Sequence, residues 1–333
     1  MSAKPAIAIV GAGLMGHGIA QVFALAGHDV RVFDAHQAAL DALRPRIRKN
    51  LDDLGIPGGA EERVTGHADL GEAVAIADIV IEAAPEKLPL KRGIFADLVR
   101  LARPEAILAS NTFVIPIGQI AEGLPTRARI LGTHWWNPPF LVPLVEVVGT
   151  PDTAPEAIAT MIALLAKIGK TPVHVKKDVT GFVGNRLQHA SWREAVAIVA
   201  EGIADARTVD MVVKSSFGRR LAVLGPLENA DLVGTDLTLD IQSVVLRQLD
   251  RSPDASPYLE SLVASGKLGM KTDEGFRTWT PEEAAALRAR VFSYLRDFKD
   301  AAAFDQVRST QQIRPDPPQR LAEAGPPDSI QQK

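Results

Sequence analysis

The sequence contains no cysteine. That absence excludes disulfides, iron–sulfur clusters and thiol catalysis, and it suits a reducing compartment. Aromatic residues are few, at 5%. Charge of one sign is not in excess. The formal net charge is −3, which gives no electrostatic basis for binding nucleic acid or a membrane surface. No apolar run is long enough to cross a bilayer. The N-terminus passes directly into an apolar strand and a glycine turn, so no signal peptide is expected and the location is read as cytoplasmic. No spacing of histidines and carboxylates suggests a metal site.

What is present is an apolar fraction of 46% in 333 residues, with 23% charged. This is enough to build two domains with real cores. The most informative stretch is IAIVGAGLMGHGIAQVFALAGHDVRVFDA, Ile7 to Ala35. Ile7-Ala8-Ile9-Val10 predicts a buried strand, a helix follows the glycines, and Val30-Arg31-Val32-Phe33 predicts a second strand. The loop Gly11-Ala12-Gly13-Leu14-Met15-Gly16 sits where a dinucleotide site needs it. The first glycine makes the tight turn, the second admits a pyrophosphate, and the third allows close helix–strand packing. The helix N-terminus offers unpaired N–H groups to the anion. Asp34 ends the second strand. A carboxylate there accepts bonds from ribose hydroxyls and repels a 2′-phosphate, so NAD is expected rather than NADP.

The alternation continues. Strands are expected at Ile79-Val80-Ile81, Ala106 to Ala109, Ile130 to Gly132, Val142 to Val148 and Thr171 to Val175, with helices over Leu88 to Leu101 and Thr153 to Ile168. The fold class is α/β: a Rossmann-type, doubly wound, mostly parallel sheet, followed by an all-helical C-terminal domain. Domains are expected at 1–178, an NAD-binding domain, and 179–309, a helical substrate and dimerisation domain. The Pro- and Gln-rich segment 310–333 is read as a disordered tail.

Ligands in such sheets lie at the carboxyl ends of strands, so residues after strands are candidates. His134, in GTHWWNPP, is read as following a strand. Glu146, in PLVEVV, lies on the next one. An imidazole suits the task of removing a hydroxyl proton, and a carboxylate on its second nitrogen would fix the tautomer. A core histidine beside an unrelated strand glutamate fits the spacing equally well. Asn185, in GFVGNRL, is read either as a substrate contact or as a helix cap. Arg220, in SFGRRLAVLGP, is read either as a clamp for a substrate carboxylate or as a solvated loop charge. The basic run Arg44 to Lys49 is expected to face water, or less plainly to border a phosphate-bearing substrate.

These residues carry a resemblance. VGAGLMGHGIAQ, EAAPEKLPLKRGIF, ASNT, GTHWWNPP, PLVEVV, DVTGFVGNRL, GPLE and SGKLGMKTDEGF, in this order, resemble the L-3-hydroxyacyl-CoA dehydrogenase superfamily. The resemblance implies NAD as cofactor, a 3-hydroxy substrate and a homodimer formed through the helical domain. It implies that His134 is the catalytic base, Glu146 its carboxylate partner and Asn185 a substrate contact. It also implies that Asp34, Glu86, Lys91 and Asn137 contact the cofactor; the loop residues Leu14, Met15 and Asn111 are grouped with them.

Two departures bear on the substrate. The family usually carries SNTSS, whose fourth residue is a serine that bonds the substrate oxygen. Here the run is Ser110-Asn111-Thr112-Phe113-Val114, so either Thr112 or a water replaces that hydroxyl, with Asn111 a nearby alternative donor, or the substrate differs. FGRRLAVLGP is more similar to the lambda-crystallin/L-gulonate dehydrogenase and carnitine dehydrogenase branch, which places an arginine at the Arg220 position. A free 3-hydroxy acid is therefore favoured, with Ser110, Thr112, Phe113 and Arg220 as substrate residues. A CoA thioester dehydrogenase is one alternative, and a non-catalytic NAD-binding protein of crystallin type is another.

Overall fold

The computed structural model describes residues 4–309; the proline- and glutamine-rich segment read as a tail lies outside the described residues. Eight strands form one sheet: β1 (Ile7–Val10), β2 (Val30–Phe33), β3 (Val64–His67), β4 (Ile79–Glu82), β5 (Ile107–Ser110), β6 (Ile130–Trp135), β7 (Leu144–Val148) and β8 (Thr171–Val175). Their order is β3-β2-β1-β4-β5-β6-β7-β8. All neighbours are parallel except β6 and β7. The strand order reverses between β1 and β4, the place where doubly wound sheets hold a nucleotide.

The helices of this part are α1 (Leu14–Leu25), α2 (Gln37–Asp41), α3 (Leu43–Asp53), α4 (Leu70–Val74), α5 (Leu88–Leu101), α6 (Ile117–Ile120) and α7 (Pro155–Lys167). They cover both faces. Alternate residues of β1 enter opposite cores: Ile7 and Ile9 join Phe23, Ile47 and Met161 from α1, α3 and α7, while Ala8 and Val10 join Val74, Phe95 and Ile120 from α4, α5 and α6. Burial on both faces explains why β1, β4 and β5 read as apolar runs rather than as alternating patterns.

Several boundaries differ from the sequence reading. The strand expected to stop at Gly132 runs to Trp135, so His134 lies within β6 and not after it. Apolar Trp135 supplies a further buried position at the end of that strand. The next strand begins at Leu144, past Pro143, because proline cannot donate to the ladder. The edge strand β3 was not anticipated: Val64-Thr65-Gly66-His67 has one apolar residue and no periodic signal.

From residue 184 the chain is helical: α8 (Gly184–Ala200), α9 (Ala206–Ser215), α10 (Pro226–Val233), α11 (Thr235–Val245), α12 (Pro257–Ala264) and α13 (Pro281–Ser309). Between residues 184 and 298 only Asn185, Leu262 and Ala284 are buried. A helical layer with so little interior of its own is not stable against water. On α13, Phe292 and Leu295 return to pack on the sheet-domain core.

Candidate active site

The antiparallel pair β6–β7 places His134 directly opposite Glu146. Opposed residues share a face of the sheet, and the His134 Nδ1 to Glu146 Oε2 distance is 2.7 Å. Both residues are buried, at 4% and 1% exposure. A carboxylate only accepts hydrogen bonds, so Nδ1 carries the proton and donates. In the neutral imidazole Nε2 then carries the lone pair, and it has no protein partner among the described residues. The rings of Trp136 and Phe182 flank the imidazole, at 5.1 and 5.8 Å between centroids.

The second oxygen of Glu146 is held from the helical region. Oε1 accepts from the backbone N–H groups of Val183 and Gly184 at 2.9 and 3.0 Å. Burial pushes the Glu146 carboxyl up, but the His134 bond and the Gly184 and Val183 amides outweigh it and hold the group below the usual carboxylate range. The chain reaches this position by a sharp turn, with Gly181 at φ +73° and Phe182 at φ +50°. A buried phenylalanine in left-handed backbone is strained. Gly184 cannot be larger: a Cβ there would lie 2.4 Å from the Trp136 ring.

At the β1–α1 turn, Gly11 has φ +106°, and a Cβ on Gly16 would lie 1.7 Å from the Gly11 carbonyl oxygen. Gly13 is different. A Cβ there would meet nothing within 4 Å, so open space lies in front of it. Gly13 also caps α1 without a side-chain bond, and no acidic residue occupies the first turn. The free N–H groups and open space suit a pyrophosphate. Leu14 is exposed at this turn, and Met15 packs on the core. Asp34 accepts from the backbone of Ala12 and His36 at 2.8 and 2.9 Å, which fixes its carboxylate beside the loop. His17 donates from Nδ1 to the Gly13 carbonyl at 2.8 Å. Burial pulls its pKa down against that bond, with Arg46 adding to the drop. The residues present thus fit an NAD site.

The loop after β5 is more constrained than the sequence suggests. Ser110 donates its hydroxyl to Glu82 Oε2 at 2.6 Å. Thr112 donates to Glu86 Oε1 at 2.5 Å and accepts from the Ile115 amide. Glu86 Oε1 also accepts the backbone N–H groups of Phe113, Val114 and Ile115. The hydroxyl expected to replace the missing serine is therefore engaged, and Thr112 does not take that role. Lys91 is wholly buried; its ammonium donates to both oxygens of Glu82 and to the Ala84 carbonyl, with Glu86 at 3.4 Å. It shapes the pocket through these groups. Glu82, the centre of this network, ends an apolar strand, and that is the signal that marks it.

Asn185 is not a helix cap. Its Nδ2 donates to the Phe113 carbonyl at 2.7 Å, tying α8 to the β5 loop. Phe113 is half exposed, and Asn137 is exposed. Arg220 is exposed, and its guanidinium has no hydrogen bond or ion pair among the described residues. In the basic run, Arg44 pairs with Glu62, Arg48 with Glu61 and Asp52, and Lys49 with Asp53. Arg46 alone has no carboxylate partner and reaches the Ala12 carbonyl at 3.4 Å.

Comparison with known proteins assigns the family. Residues 6–179 match the family model for the 3-hydroxyacyl-CoA dehydrogenase NAD-binding domain, and residues 181–279 match that for its C-terminal domain. A 5-formyl-3-hydroxy-2-methylpyridine 4-carboxylate 5-dehydrogenase of Mesorhizobium japonicum is 37% identical over 288 residues, covering 85% of this chain and 93% of the relative. An L-carnitine dehydrogenase of Streptomyces griseus is 39% identical over 232 residues, covering 68% and 69%. The crystal structure of a 5-formyl-3-hydroxy-2-methylpyridine 4-carboxylic acid 5-dehydrogenase, described as an NAD+-dependent dismutase, superposes with a TM-score of 0.83 at 35% identity, covering 89% of this chain and 98% of that one.

Proposed function

The chain belongs to the 3-hydroxyacyl-CoA dehydrogenase family, and from that footing we propose that it is an NAD-dependent dehydrogenase whose substrate is a free 3-hydroxy acid, with His134 as general base. The observation that carries the reading is the 2.7 Å bond from His134 Nδ1 to Glu146, which leaves Nε2 as the acceptor for a hydroxyl proton. Bound NAD supplies the hydride acceptor. His134 Nε2 takes the proton from the C3 hydroxyl, and Glu146 stabilises the imidazolium and holds its orientation. In the reverse direction the imidazolium returns the proton to the forming alkoxide. Asn185 acts by holding the Phe113 carbonyl at the edge of the site. Gly11, Gly13, Leu14, Met15, Gly16, Asp34, Glu86 and Asn137 form the cofactor edge, with Lys91 buttressing Glu86. The NAD-binding unit is taken as 1–178, with the helical unit following it.

Charge pairing supports the free acid over a CoA thioester. Of the cations in the Arg44–Lys49 run, only Arg46 lacks a carboxylate, and it turns to the glycine loop. No cluster of unpaired cations is left there for a nucleotide phosphate. The test is NADH formation from 3-hydroxybutyrate, an aldonic sugar acid, carnitine and 3-hydroxybutyryl-CoA. Turnover confined to the thioester would reverse the choice; turnover of none would favour the crystallin-type reading.

We also propose a homodimer through the helical unit. Val223, Leu227, Leu232, Leu239 and Val244 around α10 and α11 are 67–80% exposed. A groove of about 1340 Å³ opens between α8, α9 and α12, lined by Trp192, Val196, Val209, Leu259 and Phe276. Apolar arms and an apolar groove on one chain suit an isologous contact between copies.

A further inference from the structure

We propose that Arg46 binds the adenosine-side phosphate of NAD, so that the diphosphate meets a side-chain cation as well as the N-terminus of α1. The NAD-binding domain follows from the family; the contact from Arg46 follows from how α3 lies on the glycine loop. It depends neither on the substrate nor on His134, because cofactor binding is measured without turnover.

Helix packing places the residue. Both α1 and α3 connect parallel strands, so they run in the same sense. Asn50 of α3 donates from Nδ2 to Gln21 Oε1 of α1 at 2.9 Å. Arg46 lies one turn before Asn50, and His17 one turn before Gln21. Arg46 is thereby set beside the first turn of α1, and its charge is felt there, where it adds to the lowering of the His17 pKa.

A shared backbone partner sets which end of the cofactor it meets. Arg46 Nη1 donates to the Ala12 carbonyl at 3.4 Å. The N–H of the same alanine donates to Asp34 Oδ2 at 2.8 Å. The residue between Gly11 and Gly13 is held on one side by the guanidinium and on the other by the carboxylate read as taking the ribose hydroxyls. The phosphate nearest that ribose is the one on the adenosine side.

The guanidinium is also available. Arg46 is exposed, and its one long bond leaves most of its five N–H donors unused. It has no carboxylate within ion-pair distance among the described residues, whereas Arg44, Arg48 and Lys49 each have one. No acidic residue lies in the first turn of α1, and the space before Gly13 is open. A helix end supplies roughly half a positive charge, less than a diphosphate needs. A guanidinium adds a full charge and donors matched to phosphate oxygens.

The test is Arg46→Gln in the full-length protein, with NADH affinity read by fluorescence titration and AMP and adenosine used as competitors. At low salt the dissociation constants of NADH and AMP should rise about tenfold, the size of one exposed charge-assisted contact. Adenosine, which lacks the phosphate, should change by less than about twofold. The difference between variant and wild type should narrow at about 0.5 M salt, and Arg46→Lys, which keeps the charge, should recover most of the loss. Unchanged NADH and AMP affinity in Arg46→Gln overturns the inference. An equal loss for adenosine overturns it too, since the side chain would then serve the base or the fold. A loss confined to NADPH would assign Arg46 to the 2′ position instead. A loss that ignores salt and is not repaired by lysine would reduce Arg46 to a brace for the Ala12 carbonyl. Failure of every compound in the substrate panel leaves these titrations untouched, so the two proposals fail separately.

Discussion

His134 and Glu146 face one another across the only antiparallel strand pair of the sheet, and the carboxylate that orients the imidazole is itself held by the Val183 and Gly184 amides of the helical region. The proposed base is thus held by both parts of the chain, which leads to the first expectation. His134→Ala should lower kcat by about a hundredfold or more, with NADH affinity retained, as measured by steady-state rates and fluorescence titration. Near-normal turnover would remove the mechanism.

Glu146→Gln should be at least as damaging. The amide oxygen can still accept from Val183 and Gly184, which leaves the NH2 facing Nδ1. An NH2 cannot accept the Nδ1 proton, so the imidazole must adopt the opposite tautomer and present a proton where the base is needed. A loss of about a thousandfold in kcat is expected, by analogy with the carboxylate-to-amide exchange in other His–carboxylate pairs. A loss smaller than about fivefold would show that the tautomer is set elsewhere.

The same carboxylate makes stability depend on pH. Its pKa is lowered on folding, with the His134 bond and the two amides overcoming the effect of burial. The folded state therefore binds fewer protons than the unfolded state in the acid range. This stabilisation is full above the unfolded carboxylate value and is lost as pH falls through the lowered one. Urea unfolding at intervals from about pH 6 to about pH 3 should give a steeper loss for wild type than for Glu146→Gln. Parallel curves would assign the acid sensitivity to other groups.

Gly184→Ala tests how tightly the two parts meet. The new methyl would lie 2.4 Å from the Trp136 ring and 3.3 Å from Glu146 Oε2. Overpacking of this kind costs about 1–3 kcal/mol. A lower Tm by calorimetry and a lower kcat should appear together, because the displaced atoms belong to the dyad. An unchanged Tm would mean that Trp136 swings aside freely.

Leu227→Glu addresses the helical arms. Leu227 is 80% exposed on α10 and belongs to no core within one chain. Sedimentation should give a dimer for wild type and a monomer for the variant, since a buried charge without a partner disfavours the contact. A wild-type monomer at micromolar concentration would refute the proposed assembly.

Much of the frame is legible in the residue order. The GAGLMG loop, Asp34 and the apolar runs of β1, β4 and β5 are local features, and local sterics and burial on both faces leave them few other structures to adopt. The pairing of His134 with Glu146 was legible only in part: the spacing fitted it and an unrelated core pair equally, and the antiparallel register of β6 and β7 decided between them. Other features were not legible. Nothing near Thr112 indicates that its hydroxyl is held by Glu86, or near Asn185 that its amide holds Phe113, because these partners are far apart in the chain.

The sequence by itself determined the nucleotide-binding frame, because that frame depends on neighbours within one βαβ unit; the imidazole–carboxylate pair was one of two arrangements its spacing allowed, and the strand register decided it. Only the tertiary structure decided which donors remain free to meet a substrate. Every polar group has a limited number of hydrogen bonds: residues distant in the chain had already taken the Ser110 and Thr112 hydroxyls and one N–H of Asn185, Glu82 and Ala84 had taken Lys91, and the outer nitrogen of His134 was left as an acceptor.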